Sequence, residues 1–394
     1  MKILYNISIW LYVFIINIVS LSNSKAKLWT KGRKNIFNQL KKSLYNYKNI
    51  VWFHCASLGE FEQIKIILID YKKKYPNHKI LLTFFSPSGY ENKKNTQVSD
   101  WIFYLPADTK ENAKKFIEIV KPIKAIFVKY EFWFNYMHEL KTSNIPLYSI
   151  VTIFRKDQLF FKYKWWGNQL KNVTHFFVQD QNSANLLKKI GINKSTVVGD
   201  TRFDSVFYNS KNLIKNSLIE QFCKNKRTII CGSTWPKDET ILIKYIKNHP
   251  HNNYIIAPHE MHYISNLKKA TNGLLYSEAN TQNILEKNIL IINTIGILSN
   301  IYQYGDISYI GGGFEKGIHN ILEAITFGLP VVFGPKYHKF NEAKEYINKK
   351  GAITISNYSG LISAFKNFEN FDNSIAHKFI KQNTGATKKI INLL

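Results

Sequence analysis

Short apolar runs alternate with helical segments along almost the whole chain, and this alternation limits the possible fold more than any other feature. Runs without a polar face, separated by helices, are typical of parallel strands that are covered on both sides. The sequence predicts a first group of strands at 50–55, 79–85, 101–105, 125–128, 147–151, 176–179 and 196–198. It predicts a second group at 228–231, 254–257, 289–292, 307–311, 331–333 and 352–355.

Residues 213–226 separate the two groups and carry little strand signal, so we place a linker and the first helix of a second domain there. The pattern predicts an α/β protein with two tandem, doubly wound, Rossmann-like domains. We set the first at 25–207 and the second at 208–394. Doubly wound sheets bind ligands at the carboxyl ends of their strands, which predicts a site in the cleft between the domains.

The N-terminus is uncharged from residue 3 to residue 24, and we interpret 1–24 as a membrane-anchor helix. A run of that length can span a hydrocarbon core of about 30 Å. Only Lys2 precedes it, whereas a cluster of Lys and Arg residues follows, which predicts a cytoplasmic location for the rest of the chain. The alternative is a cleaved signal peptide, although the apolar run is longer than is usual there.

The formal charge of +27 has two interpretations. It reflects either a solvated, Lys-rich surface or attraction to an anionic partner such as a membrane or a phosphorylated lipid. We find no recognisable nucleic-acid module and predict no nucleic-acid partner. The three cysteines, Cys55, Cys223 and Cys231, lack the spacing of a metal knuckle or a disulfide framework.

Glu60 is the first acidic residue of the chain and follows the first predicted strand at a Gly turn. A carboxylate there would point into the ligand crevice and could act as a general base. Alternatively, Ser57 and Glu60 match a capping box, in which Glu60 only caps its helix.

Glu131 follows another buried strand, within Tyr130-Glu131-Phe132-Trp133. It could bind sugar hydroxyls or orient a basic partner of Glu60. The alternative is a surface acid beside a packed tryptophan.

Two Gly-containing turns in the second domain predict a nucleotide site. Gly232, Ser233 and Thr234 follow a predicted strand, and Gly lets the backbone approach a phosphate. The second turn carries Gly311, Gly312, Gly313, His319, Asn320 and Glu323. We expect a helix to open near His319, so that backbone donors, an imidazole and an amide converge on one anion, with Glu323 near ribose hydroxyls.

The histidine spacing nearest to a metal motif is Pro258-His259-Glu260-Met261-His262. It lacks the HExxH spacing, and we predict no metal and no cofactor.

Taken together, these segments resemble the 3-deoxy-D-manno-octulosonic acid (Kdo) transferase family, which has the GT-B fold. The resemblance covers nearly the whole chain, to about residue 355. It rests on the order of several motifs, which resemble Ser57 to Glu60, Thr83 with Pro87 and Gly89, Tyr104 to Asp108, Glu131 with Trp133, Gly232 to Thr234, Thr294 with Gly296, and Gly317 to Glu323.

Several positions depart from the family pattern. Ile318 replaces a Gly, Asn293 an Asp, and Arg202 stands where many members have Lys. Pro258-His259-Glu260 replaces Pro-Arg-His, and Phe154-Arg155 replaces a common Asn-Ala-Arg.

The resemblance implies transfer of Kdo from CMP-Kdo to a lipid A precursor, with inversion and without a metal. It implies Glu60 as general base, an acceptor-binding first domain with contacts from Ser57, Gly59 and Arg202, and a donor-binding second domain that includes Pro258 and His259. The resemblance also implies localisation at the inner membrane, with the catalytic domains facing the cytoplasm. Another GT-B nucleotide-sugar transferase or epimerase is the rival enzyme, and a non-catalytic basic membrane adaptor is the rival from another class.

Overall fold

Two parallel seven-stranded sheets form the framework of the protein, whose computed structural model describes residues 1–394. The first sheet has the order β3-β2-β1-β4-β5-β6-β7. Its strands are β1 Ile50–Cys55, β2 Lys79–Phe84, β3 Trp101–Tyr104, β4 Lys124–Val128, β5 Leu147–Thr152, β6 His175–Val178 and β7 Ser195–Val197. The predicted class of two doubly wound α/β sheets is therefore confirmed.

The second sheet has the order β10-β11-β9-β8-β12-β13-β14. Its strands are β8 Thr228–Thr234, β9 Asn253–Pro258, β10 Leu274–Leu275, β11 Ile289–Ile291, β12 Ile307–Ile310, β13 Val331–Phe333 and β14 Ala352–Thr354. The edge strand β10 is the one strand absent from the sequence prediction, because a run of two residues is too short to show a pattern of apolar residues.

Helices connect the strands in both parts of the chain. The helices up to β8 are α1 Lys2–Val19, α2 Ser24–Arg33, α3 Ile36–Leu44, α4 Leu58–Lys74, α5 Pro87–Lys93, α6 Lys110–Val120, α7 Phe134–Thr142, α8 Leu159–Lys162, α9 Lys164–Leu170, α10 Gln181–Lys189, α11 Thr201–Lys211 and α12 Ser217–Cys223. The later ones are α13 Pro236–Asn248, α14 Ile264–Thr271, α15 Leu298–Ile301, α16 Leu322–Ile325, α17 Asn341–Asn348, α18 Tyr358–Asn367, α19 Ser374–Asn383 and α20 Ala386–Leu393.

Side chains of β1 show why the sheet is covered on both faces. Trp52 packs against Phe116 of α6, with ring centroids 4.7 Å apart, in the core on one face. Its neighbour Phe53 packs against Tyr71 of α4 in the core on the other face. Because successive side chains of a strand point to opposite faces, both must be apolar, and the alternation of a half-exposed strand is lost.

The chain divides into two units, one comprising Met1–Ser205 with Thr384–Leu394 and the other Val206–Asn383. The last eleven residues thus pack on the first unit through α20, whereas the sequence assigned 208–394 to one domain. The assignment of acceptor and donor binding to the two domains stays a prediction.

Each sheet reverses its strand order at one point. In the first sheet this point lies between β1 and β4, and in the second between β8 and β12. The strands on either side lead into loops at the same edge, which is where doubly wound sheets bind ligands. Glu60 and Glu131 follow β1 and β4, and the two Gly-containing turns end β8 and follow β12.

Helix α1 is long and apolar enough to cross a membrane, judged by length and composition. An N-terminal signal sequence satisfies the same criterion. None of its side chains is fully buried.

Candidate active site

Glu60 lies in the first turn of α4, three residues into the helix that follows β1. Its Oε2 accepts a hydrogen bond of 2.5 Å from the backbone N–H of Ala56. Ser57 is the N-cap residue, but its hydroxyl makes no capping hydrogen bond. The predicted capping box is therefore wrong for the Ser57 hydroxyl, whereas the carboxylate of Glu60 accepts from the backbone at Ala56 and Ser57.

Glu131 lies just past the end of β4, and its side chain is 11% exposed. Its Oε2 accepts a hydrogen bond of 2.7 Å from Nε1 of Trp133. The same oxygen lies 3.2 Å from Nε2 of His54. The alternative of a surface acid is wrong, because Glu131 is held by two ring nitrogens in a nearly closed environment.

A buried chain of polar groups continues behind Glu131. Nδ1 of His54 lies 2.9 Å from Oγ1 of Thr83, which accepts a hydrogen bond of 2.7 Å from Nε1 of Trp52. All three of these residues are completely buried. Rings and hydroxyls that are locked in a core hold a catalytic group in one geometry.

Burial and charge both raise the pKa of Glu60, to about 7. Burial contributes most, and the negative charge of Glu131 adds to it. The amide of Ala56 and the charge of Lys129 act in the opposite direction. A carboxylate whose pKa lies near neutral pH is well suited to proton transfer as a general base.

In the second unit, the rings of three residues that follow β8, β9 and β12 lie together. The rings of Trp235 and His259 lie 4.8 Å apart with an interplanar angle of 17°. The rings of His259 and His319 lie 4.4 Å apart. Nε1 of Trp235 donates a hydrogen bond of 2.9 Å to Nε2 of His319. The structure thus brings together His259 and His319, which are distant in sequence.

Burial and, to a smaller extent, the nearby His259 lower the pKa of His319 to about 4. The imidazole of His319 is therefore neutral near pH 7. Since its Nε2 accepts from Trp235, the ring proton is on Nδ1, which leaves Nδ1–H as a donor. His319 can offer a ligand a hydrogen bond without a positive charge.

Close backbone packing is the first reason why the loop after β12 needs its glycines. A Cβ at Gly311 would lie 2.2 Å from the carbonyl oxygen of Ser233, and one at Gly313 would lie 2.6 Å from the nitrogen of Gly334. The N–H of Gly312 donates to the buried carboxylate of Asp238. The expectation that the amides of this loop all converge on an anion is therefore wrong for Gly312.

The helix after this loop begins at Leu322 and not near His319, as the sequence predicted. The amide of His319 instead bonds to Gly311 O within the loop. Nδ2 of Asn320 donates a hydrogen bond of 3.0 Å to Oε1 of Glu323. The pair forms a small polar surface beside His319, without the dipole of a long helix.

The remaining predicted residues have varied surroundings. Gly232, Ser233 and Thr234 lie within β8, where the hydroxyl of Thr234 donates to Glu239, and Pro258 ends β9 and is buried. Arg202 is the second residue of α11, and its Nε and Nη2 donate to Oδ2 of Asp200 at 2.8 and 2.6 Å. Gly59 is exposed. No group of three or more His, Cys, Asp or Glu side chains is arranged to hold a metal ion.

The chain is similar to proteins of known function. A family model described as 3-deoxy-D-manno-octulosonic-acid transferase (kdotransferase) matches residues 30–205. The 3-deoxy-D-manno-octulosonic acid transferase of Aquifex aeolicus is 29% identical over 330 residues, which cover 82% of this chain and 87% of that protein. The protein of the same name from Rickettsia typhi is 28% identical, over 85% of this chain and 75% of its own length. The chain is thus similar to Kdo transferases over most of its length.

These matches support a glycosyltransferase, as the sequence predicted. The matched segment contains both Glu60 and Glu131. Among solved structures, a UDP-GlcNAc 2-epimerase from Neisseria meningitidis superimposes with a TM-score of 0.61 and 17% identity, over 87% of this chain and 98% of its own. That likeness supports the fold alone.

The sequence analysis did not identify three residues of the candidate site: His54, Trp133 as a hydrogen-bond donor, and Trp235. His54 lies in the interior of an apolar strand, and only the register that pairs His54 with Thr83 reveals its partner. A histidine within an otherwise apolar buried run was the one available signal. Trp235 follows the Gly-Ser-Thr turn directly, and its position beside a nucleotide-type turn could have indicated it.

Proposed function

We propose that the protein transfers Kdo from CMP-Kdo to a lipid A precursor, lipid IVA, in lipopolysaccharide core biosynthesis. The observation that carries this proposal is the position of Glu60. Its carboxylate lies at the reversal point of the first sheet, beside Glu131, with a pKa raised to about 7. A base with those properties suits the deprotonation of an acceptor hydroxyl at neutral pH.

The proposed step is a single displacement. The acceptor hydroxyl oxygen forms a bond to the anomeric carbon of Kdo while the bond from that carbon to the phosphate oxygen of CMP breaks. The hydroxyl proton passes to Glu60, and CMP leaves with the bonding electron pair. Attack opposite the leaving group inverts the anomeric configuration.

Glu131 would orient this machinery without taking the proton. Its carboxylate is fixed by Trp133 and His54, and its charge helps to raise the pKa of Glu60. A second carboxylate that raises the pKa of the first toward neutral pH is a recurrent way of tuning a base.

The second unit would bind the donor through Ser233, Thr234, His319, Asn320 and Glu323. Nδ1–H of His319 would donate to the phosphate or to the Kdo carboxylate. Lys316, whose Nζ lies 5.0 Å from the centre of the Trp235 ring, would offset the leaving-group charge. Fixed donors and cations of this kind can stabilise a leaving phosphate without a metal.

The acceptor would meet the first unit, near Ser57, Gly59 and Arg202. Because lipid IVA resides in a bilayer, we place the protein at the inner membrane with its sheets on the cytoplasmic side. The apolar helix α1 supports this location.

The test is an assay of full-length protein with CMP-Kdo and lipid IVA in detergent, which measures CMP release and the mass of the lipid product. We expect both signals with the wild type and neither above background without acceptor. UDP-GlcNAc, with and without acceptor, is the contrast substrate. Epimerisation or transfer of a UDP-sugar, or no reaction with any donor, would contradict the proposal.

A further inference from the structure

The inner face of α1 is fixed to the first unit by polar contacts near its N-terminus. The hydroxyl of Tyr5 donates a hydrogen bond of 2.5 Å to Oδ2 of Asp108, a carboxylate that is 2% exposed. Nδ2 of Asn135 donates one of 2.9 Å to Oδ1 of Asn6. The ring of Tyr5 also packs edge-on against Phe134, at 5.5 Å. A buried carboxylate that accepts from Tyr5 makes this helix part of the domain.

The middle of α1 is fixed as well. A tight bend at residues 20–23 separates α1 from α2, and Tyr12 and Trp29 each lie about two helical turns from it. The rings of Tyr12 and Trp29 meet at 5.8 Å, so α2 runs back along α1. Tyr12 also stacks on Phe85, at 6.1 Å, in the loop after β2. Helix α1 therefore contacts the domain from Tyr5 to Tyr12.

The outer face of α1 is a broad apolar surface. Its large side chains are between 49% and 74% exposed: Ile3, Leu4, Ile7, Trp10, Leu11, Phe14, Ile15 and Ile18. They recur at the three- and four-residue spacing of one side of a helix. A contiguous apolar face of this length needs a partner.

A bilayer-crossing helix is incompatible with these contacts. If α1 crossed with its Val19 end at the cytoplasmic face, α2 would return into the hydrocarbon beside it. Lys27, Lys31 and the loop that carries Asp108 would then lie at membrane depth. Charged side chains at that depth are costly.

The charges nearby indicate which surface covers the apolar face. Lys2, Lys25, Lys27 and Lys31 are exposed around the α1–α2 hairpin, and the chain has no acidic residue before Glu60. A second copy of the chain would bring like charges together. An anionic lipid surface would attract them and cover the apolar side chains at the same time.

We propose that α1 lies in the plane of an anionic lipid surface, with its outer face inserted among the acyl chains. Its inner face is held on the first unit by the hydrogen bond from Tyr5 to Asp108. The helix is thus an interfacial element of the first unit and does not span the bilayer. This inference does not depend on which sugar the enzyme transfers.

Depth measurement at three positions tests the orientation. Leu4, Leu11 and Ile18 share the outer face, and each is replaced singly by Cys in a Cys223→Ser background, since Cys55 and Cys231 are buried. Each variant is labelled with nitrobenzoxadiazole and bound to vesicles of phosphatidylethanolamine and phosphatidylglycerol. Lipids with nitroxides at two depths then report how deep each probe lies.

We expect the three probes to lie at the same depth, just below the headgroups. A crossing helix would separate the probes at positions 4 and 18 by about 21 Å along its axis. A steady change of depth along the three positions would overturn the proposal. The proposal would also be overturned if lipid nitroxides did not quench the probes and the protein sedimented as a dimer. Neither result bears on Kdo transfer, which detergent assays measure separately.

Discussion

Oε2 of Glu131 lies 3.2 Å from Nε2 of the buried His54 and accepts a second hydrogen bond from Trp133. Glu60, by contrast, is held by the amide of Ala56 in the first turn of its helix. Two carboxylates at one edge of a sheet therefore have different surroundings. The one fixed by two rings suits orientation, and the one with a pKa raised to about 7 suits proton transfer.

Replacement of the proposed base tests this division directly. We expect Glu60→Gln to retain CMP binding and the melting temperature of the wild type but to lower turnover by roughly two to four orders of magnitude, the usual contribution of a general base. Steady-state kinetics and thermal unfolding with CMP measure the two effects. Wild-type turnover in the variant would rule out Glu60 as the base.

The pH dependence of the reaction follows from the raised pKa of Glu60. The carboxylate form, which a base requires, becomes populated as the pH rises through about 7, so kcat/KM should rise over that range. Glu131→Gln removes the negative charge that helps to raise this pKa, and the rise should move to lower pH. Only part of the shift should disappear, because burial is the larger cause.

A suitable control for that variant is Glu111→Gln, which changes an exposed carboxylate in the first turn of α6. The pH profile of the control should match that of the wild type.

The pH dependence of thermal stability should be opposite to that of activity. A carboxyl group with a raised pKa in the folded state contributes stability at low pH that is lost as the pH rises from about 4.5 to about 7.

The two acids could be found from the sequence because each is the first carboxylate after a buried strand. Their ring partners could not, since His54 becomes a neighbour of Glu131 only through the pairing of β1 with β4. The start of α16 was also placed too early. The amides of Gly317, Ile318 and His319 bond to other loop carbonyls, and these long-range contacts delay the helix to Leu322.

The return of α20 to the first unit had no local signal either. Its apolar side chains Ile390 and Ile391 read as an ordinary helical face in sequence, yet they join the core beside β1. Periodicity predicts which face of a helix is buried but not which sheet covers it. Local patterns thus predicted the elements, and tertiary contacts decided where two of them begin or pack.

The tautomer of His319 can be tested through Trp235. Trp235→Phe keeps a ring for stacking but removes the N–H that donates to Nε2 of His319. Without that bond the ring proton is no longer confined to Nδ1, and CMP should raise the melting temperature by less than in the wild type. Differential scanning calorimetry at several CMP concentrations measures the change.

The matched control is Trp133→Phe, the same substitution in the first unit, where the lost N–H bonded to Glu131. It should lower turnover while leaving the stabilisation by CMP unchanged. Equal CMP protection in Trp235→Phe and the wild type would argue against a donor role for His319.

The attachment of α1 to Asp108 should depend on one hydroxyl. Tyr5→Phe removes the hydrogen bond to a buried carboxylate, whereas Tyr12→Phe removes a hydroxyl that has no hydrogen-bond partner in the protein. Oδ2 of Asp108 still accepts from the backbone N–H of Asn135, so the variant loses one hydrogen bond to a carboxylate, which contributes about 1.5–3 kcal/mol. Hydrogen exchange of amides in α1 should therefore accelerate in Tyr5→Phe and not in Tyr12→Phe. Equal exchange in the two variants would mean that the hydrogen bond from Tyr5 to Asp108 does not help to hold α1 on the domain.

The basic residues of the α1–α2 hairpin should contribute a salt-dependent part of membrane binding. Lys25, Lys27 and Lys31 are exposed, and each is expected to add about 1 kcal/mol of attraction near an anionic surface. Their replacement by Gln should weaken binding to phosphatidylglycerol vesicles at low salt and change little at high salt, because salt screens exposed charges. A variant with Gln at the equally exposed Lys244, Lys247 and Lys237 of α13 is the control for total charge. If both triple variants lose affinity equally in vesicle sedimentation, net charge and not the hairpin attracts the protein to lipid. A loss confined to the hairpin variant would place the contact at α1 and α2.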